Sequence, residues 1–172
     1  MNVECTSALA VSVRLRRPSG SIPGVSDATA RENLPARLRV LVYSSNAETR
    51  TRVKSAVGTR PDPVLGEIDY VDIATAAVVI EHMDAGEVDL AILDGESSPV
   101  GGLGLAKQLK DEIDPCPPVL VLIGRPDDRW LADWSRAEAA IAHPLDPMRL
   151  GRAVVDLLRQ HSVHVDGVSQ QR

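Results

Sequence analysis

The sequence predicts an α/β protein built on a doubly wound, five-stranded parallel sheet with strand order 2-1-3-4-5. Two observations carry that prediction. Short, continuous apolar runs recur through residues 37–160, the pattern of strands covered on both faces rather than the in/out alternation of a sheet wetted on one side. Between them lie stretches of helical periodicity, long enough for the crossover helices that parallel strands require.

The elements follow in order. Val40-Leu41-Val42-Tyr43 is the first apolar run, and the polar Ser44-Ser45-Asn46 leads into a helix over Ala47–Val57 that stops at Gly58. Ile68–Ile73 reads as the second strand and Ala74–Met83 as the second helix, before Gly86. Leu90-Ala91-Ile92-Leu93 is a buried third strand that delivers Asp94 at its end. Leu103–Ile113 is helical, with Leu103, Ala106, Leu109 and Ile113 near one face. Pro117-Pro118 punctuates the chain ahead of Val119–Ile123, the most apolar strand. Asp127–Ala137 is a fourth helix, Ala139–Ala142 a weak fifth strand, and Pro147–Gln160 a closing helix with Leu150, Val154, Leu157 and Leu158 on its apolar side.

Composition narrows the function classes. The chain has two Trp, two Tyr and no Phe, so Val, Leu, Ile and Ala must build the core. A net charge of −5 offers no electrostatic footprint for nucleic acid or an acidic membrane. No apolar run approaches the ~20 residues of a membrane span. Cys5 and Cys116 lie in different segments without metal or redox spacing, which fits reduced thiols in a cytoplasmic protein. Residues 1–36 read as an N-terminal extension: Pro18, Gly20, Pro23 and Gly24 break regular structure, and Ala8–Leu15 is a short strand or an extended arm. Arg14, Arg16, Arg17 and Arg31 against Glu4, Asp27 and Glu32 make that arm mildly basic, whereas residues 37–160 are acidic. Residues 161–172 read as a polar tail. His161-x-x-His164 has metal-ligand spacing but no accompanying Cys or carboxylate cluster, and is expected to be a solvated helix end.

In doubly wound sheets the functional crevice lies beyond the carboxyl ends of the strands, at the switch point between strands 1 and 3. The loops there hold Ser44-Ser45, Asp94, Gly124 and His143-Pro144. An Asp ending strand 3, Gly102 downstream of it and an X-Pro after strand 5 together resemble the receiver domain of response regulators, over about residues 37–160. The resemblance implies phosphorylation on the strand-3 Asp, with an acidic pair after strand 1 holding Mg²⁺, a hydroxyl residue ending strand 4 and a Lys before the Pro. Of these positions only Asp94 is retained. The acidic pair falls on Ser44 and Ser45, the hydroxyl on Ile123, the Lys on His143 and the aromatic switch position on about Ala140, while the Pro after the acceptor is displaced to Pro99. The resemblance is therefore to a degenerate pseudo-receiver, of actinobacterial type.

The chemistry of these substitutions is direct. Mg²⁺ wants carboxylate oxygens in a near-octahedral array, and Asp94 with two neutral hydroxyls is a poor site even if Glu96 adds an oxygen. Without metal or Lys, charge developing on a transferred phosphoryl group lacks its main stabilisers. Asp94 is expected to be a strand-end carboxylate satisfied by Ser44, Ser45 or His143, and no metal, cofactor or enzymatic activity is expected. His143-Pro144 is expected to be cis, as the family implies. Trp130 and Trp134, spaced i,i+4 on the fourth helix, are either core residues or anchors for a protein partner on the α4-β5-α5 face, the usual docking face of receivers. The leading reading is thus a phosphorylation-independent interaction module or accessory subunit of a larger assembly, docking through that face, the arm, or both. The alternatives are a single-domain response regulator signalling through Asp94, and a flavin- or nucleotide-binding domain suggested by the hydroxyl-rich Tyr43-Ser44-Ser45-Asn46-Ala47-Glu48-Thr49.

Overall fold

The computed structural model describes residues 37–169, with side-chain burial described through Ser162. The proposed arm, residues 1–36, lies outside the described residues, as do residues 170–172 and the side chain of His164. Five strands, β1 (Leu38–Tyr43), β2 (Ile68–Ile73), β3 (Leu90–Asp94), β4 (Val119–Ile123) and β5 (Ala139–Ala142), alternate with helices α1 (Ala47–Val57), α2 (Ala76–Asp84), α3 (Gly102–Glu112), α4 (Arg129–Ser135) and α5 (Pro147–Ser169). The strands form one parallel sheet in the order β2-β1-β3-β4-β5, as the alternation of elements predicts.

Strand periodicity divides the core in two. Leu41, Tyr43, Ala91, Leu93, Val119, Val121 and Ile123 point to the side covered by α2, α3 and α4, against Val79, Met83, Leu105, Leu109 and Ala132. Their neighbours Val40, Val42, Leu90, Ile92, Leu120 and Leu122 point to the other side, against Val53 and Val57 of α1 and Leu150, Val154, Leu157 and Leu158 of α5. Strands β3 and β4 are buried at every position, the physical basis of their continuous apolar runs. Each fully buried Leu or Val contributes about 1.5–3 kcal/mol of transfer free energy, so a core built without Phe is workable.

Local chemistry sets the helix ends. Asn46 caps α1, its side-chain oxygen accepting the Glu48 N–H at 2.9 Å. Gly58 ends the same helix at φ 75°, where its N–H closes onto the Lys54 carbonyl at 2.8 Å, a conformation glycine adopts without Cβ strain. Three helices differ from the sequence reading by two or more residues at an end. Helix α2 begins at Ala76, because Thr75 at its N-cap is extended. The stretch 127–137 is not one helix: a 3-10 turn over Pro126–Asp128 precedes a seven-residue α4, which Arg136 ends in the left-handed region at φ 62°. Helix α5 does not stop at Gln160 but runs to Ser169, so residues 161–169 are not an irregular tail; neither Pro nor Gly interrupts the chain before Gly167.

One tie between distant segments carries a pH signature. Asp62, after α1, accepts the Val64 N–H at 2.8 Å and the Leu65 N–H at 3.3 Å, and pairs with Arg159 of α5. The Val64 N–H leads the groups that hold its carboxyl below the ordinary value of 3.8; burial pushes the other way, and the Leu65 N–H and Arg159 add to the lowering. A depressed carboxylate contributes stability that is fully present above its unfolded pKa and lost as pH falls through the folded one. The urea midpoint is therefore expected to fall between about pH 5 and pH 2, and to fall less in an Asp62→Asn variant. Superposable pH profiles for the two proteins would show that this tie carries none of the acid sensitivity.

Candidate functional site

Strands β1 and β3 are neighbours in the sheet, with Tyr43 in register with Leu93, so the residues just beyond them meet. Ser44 donates its hydroxyl to Asp94 Oδ2 at 2.7 Å, and the Glu96 N–H donates to Asp94 Oδ1 at 3.0 Å. Ser44 is fully buried and Asp94 is 3% exposed. Both carboxylate oxygens thus have a protein donor in a place where water scarcely reaches. The Ser44 hydroxyl in turn accepts the Asn46 N–H at 3.0 Å, and the Arg50 guanidinium donates to the Ser44 carbonyl. The Nε of Arg50 is buried with no hydrogen-bond partner among the described residues.

A second layer of serines laces the β1–α1 loop to the β3–α3 loop. The Ser45 N–H donates to Ser97 Oγ at 3.1 Å, and the Ser98 N–H returns a bond to Ser45 Oγ at 3.3 Å. Tyr43 spans the same gap, its hydroxyl donating to the Val100 carbonyl at 2.6 Å. Burial pushes the Tyr43 hydroxyl up; the Ser97 hydroxyl works in the opposite direction and the Asp94 charge adds to the rise. Tyr43 is a neutral donor at physiological pH.

Glycines let the walls close. A Cβ on Gly102 would lie 2.7 Å from the Asp94 carbonyl carbon and oxygen, and one on Gly95 would lie 2.7 Å from the Leu122 carbonyl oxygen. Glu96 folds its carboxylate over Gly124, where a Cβ would stand 2.5 Å from Oε1.

Of the three partners expected for Asp94, Ser44 is the one that binds it. Ser45 turns to the β3–α3 loop, and no hydrogen bond joins His143 to Asp94 among the described residues. His143 is held through its backbone instead, its N–H donating to the Ile123 carbonyl at 2.9 Å, and the His143–Pro144 peptide is cis. Ser98–Pro99 and Asp114–Pro115 are cis as well. Ile123 is 3% exposed and packs into the core, offering no hydroxyl to the crevice. The sequence reading missed Ser97, Arg50 and the Tyr43–Val100 bond; the run Ser97-Ser98-Pro99 after β3 was the signal for the first.

The donor set does not fit the Mg²⁺ that the family implies. Among the described residues, Asp94 is the sole carboxylate whose oxygens meet Ser44, the Ser44 proton points at that carboxylate, and no cluster of three acidic, His or Cys side chains suited to a metal occurs. Among the described residues His161 meets a single carboxylate, its Nε2 lying 4.0 Å from Asp89 Oδ1. In the flavodoxin-like loop the hydroxyls of Ser44 and Ser45 are engaged with Asp94, Asn46 and Ser98, so these two are not free to cradle a phosphate.

Trp130 and Trp134 are 65% and 52% exposed. The inward positions of α4 are Ala132 and Ser135, so the two rings are surface residues and not core. No described helix is long and apolar enough to cross a membrane.

Comparison with known proteins agrees with this fold. No family model matches the chain. An uncharacterized response regulatory protein of Mycobacterium tuberculosis, found in two strains, is 62% identical over 122 residues, which cover 71% of this chain and 92% of the relative. Among solved structures, a Francisella response regulator receiver domain superposes with a TM-score of 0.61 at 16% identity, covering 72% of this chain and 98% of that one. A CheY-like receiver domain protein of Methanospirillum hungatei gives 0.58 at 17% identity, covering 75% and 99%. Identities this low speak to the fold alone. With a 62% identical response regulatory relative matched over nearly its whole length, and with the β2-β1-β3-β4-β5 sheet in place, the chain belongs to the response-regulator receiver family.

Proposed function

We propose that this protein is a receiver that works without phosphorylation, as a cytoplasmic interaction module or accessory component of a larger assembly. The observation that carries the reading is the state of Asp94. Its carboxylate is 3% exposed and both its oxygens are occupied, by the Ser44 hydroxyl and the Glu96 N–H. A carboxylate so held is part of the fold's hydrogen bonding, and a nucleophile must first be released from it. At the family's acidic-pair and lysine positions stand Ser44, Ser45 and His143, which supply neither a carboxylate nor a lysine to stabilise a phosphoryl transfer. Function then resides on the surface, and the two exposed tryptophans of α4 are its anchors: large rings at a surface are the side chains that dominate binding energy in protein interfaces.

The test is exposure of the purified protein to phosphoramidate and Mg²⁺, followed by intact-mass and peptide mass spectrometry. The expected outcome is no phosphoryl adduct on Asp94, alongside a receiver control that is modified under the same conditions. Stoichiometric phosphorylation of Asp94 would overturn the reading and favour a regulator signalling through that residue.

A further inference from the structure

We infer that the cavity at the open edge of β5 binds a small molecule, a purine nucleoside monophosphate. The inference goes beyond the protein-binding reading and stands without it.

The cavity begins with an uncovered strand. Strand β5, Ala139-Ala140-Ile141-Ala142, is half-buried at all four positions, whereas its one neighbour, β4, is buried at every position. A seven-residue α4 supplies only about 10 Å of cover, and alanine side chains fill little of the space beneath it. What remains is a cavity of about 440 Å³, within the size range of small-molecule sites. Its apolar lining is Ile123, Ala140 and Ala142, with Pro126 ahead of α4 and Pro144 after β5. Methyl groups and proline rings give a planar ring a surface on which to leave water.

The polar lining consists of Arg129, Arg149, Arg152, Asp146 and Asp156, and the partners these already have decide what is left for a ligand. Asp146 and Arg149 are committed to each other. Asp146 Oδ1 accepts the Met148 N–H at 2.9 Å and the Arg149 N–H at 3.2 Å, and Oδ2 lies 3.8 Å from Arg149 Nε. No ion pair among the described residues involves Arg129, Arg152 or Asp156. Two uncommitted guanidiniums, one from α4 and one from α5, call for a dianion. One uncommitted carboxylate, a turn beyond Arg152 on the same helix, calls for a hydroxyl or amine donor.

A nucleoside monophosphate carries the matching groups in one molecule. A phosphate monoester bears a charge of about −1.5 to −2 at pH 7 with three acceptor oxygens, and guanidinium forks pair with it two bonds at a time. The ribose hydroxyls supply donors for Asp156, and the base lies on the alanine floor. A purine covers more of that floor than a pyrimidine does. Diphosphates and triphosphates bring more negative charge than Arg129 and Arg152 balance.

The test titrates AMP and GMP, without divalent metal, into the isotopically labelled full-length protein while backbone amide shifts are followed. Adenosine, guanosine and orthophosphate are the comparison ligands. At least one nucleotide is expected to give saturable shifts centred on Arg129, Ala140, Ala142 and Arg152, with a Kd on the order of 0.1 mM that rises with salt. The comparison ligands are expected to bind the protein at least about tenfold more weakly. The same loss is expected for the nucleotide in Arg152→Glu, which reverses a phosphate contact, and in Ala140→Phe, which fills the place of the base from within. If Ala140→Phe fails to fold, the exposed Arg152→Glu decides. Absence of saturable shifts with both nucleotides overturns the inference, as does affinity unchanged in a folded Arg152→Glu protein. Orthophosphate binding as tightly as the nucleotides also overturns it, since the site is then one for a bare anion. So do shifts centred on Ser44–Asn46, which assign the nucleotide to the hydroxyl-rich loop instead.

Discussion

Gly102→Ala is expected to destabilise the domain by about 3 kcal/mol, the upper range for forcing an extra methyl into a packed interior. The first residue of α3 lies against the end of the central strand. A Cβ there meets the Asp94 carbonyl carbon and oxygen at 2.7 Å and the Leu93 carbonyl carbon at 2.8 Å. These are backbone atoms of β3: Leu93 lies between β1 and β4 in the sheet, and the Asp94 carbonyl accepts the Ser97 N–H at 3.2 Å, so no side chain can swing aside to absorb the contact. Helix α3 must back away, loosening Leu105 and Leu109 in the core. Gly104, two residues on, is the internal control: nothing lies within 4 Å of the place a methyl would take there, and alanine at that position is expected to stabilise by up to about 1 kcal/mol through helix propensity. Urea unfolding of the two variants with unchanged m-values reads the contrast directly. Equal stability for both would show that α3 and β3 do not approach each other this closely.

The second large effect is at Asp94. Asp94→Ala strips the acceptor from the buried Ser44 hydroxyl and the part-buried Glu96 N–H. Leaving such groups unpaired costs about 1–3 kcal/mol each, so a total near ~3 kcal/mol is expected. Asp94→Asn keeps one carbonyl oxygen for one of the donors, while its amide can donate to Ser44 Oγ, which has lone pairs for both this and the Asn46 N–H. Its expected cost is about 1 kcal/mol. The order Ala worse than Asn distinguishes a structural carboxylate from an exposed signalling residue, for which both substitutions would be nearly silent in stability. A denaturation midpoint for Asp94→Ala indistinguishable from wild type would remove the structural role assigned to this residue.

The fold was legible from residues alone where burial dictated composition. Val119–Ile123 is apolar throughout because β4 is covered on both faces, and the same pressure made β1 and β3 readable. The polar crevice was legible in part. Strand-end position identified Asp94, and the missing carboxylates and lysine were visible as Ser44, Ser45 and His143. Which of these neighbours would hold Asp94 was not, because a hydrogen bond depends on the direction a hydroxyl takes at the end of its strand, and Ser44 and Ser45 are chemically identical in sequence. The division of the fourth helix was also hidden: Pro126 opens a 3-10 turn and Arg136 adopts the left-handed conformation, a choice that arginine's intrinsic preference does not announce. Helix α5 overran its expected end for the converse reason, since polar residues do not stop a helix unless a breaker accompanies them.

By itself, then, the order of apolar runs and breakers determined a doubly wound sheet and placed one lone carboxylate at its switch point, because hydrophobic burial is written residue by residue. Tertiary structure alone decided that both oxygens of that carboxylate are taken and that Trp130 and Trp134 face outward. Those outcomes depend on distances between segments far apart in the chain, and spacing along the sequence does not encode them.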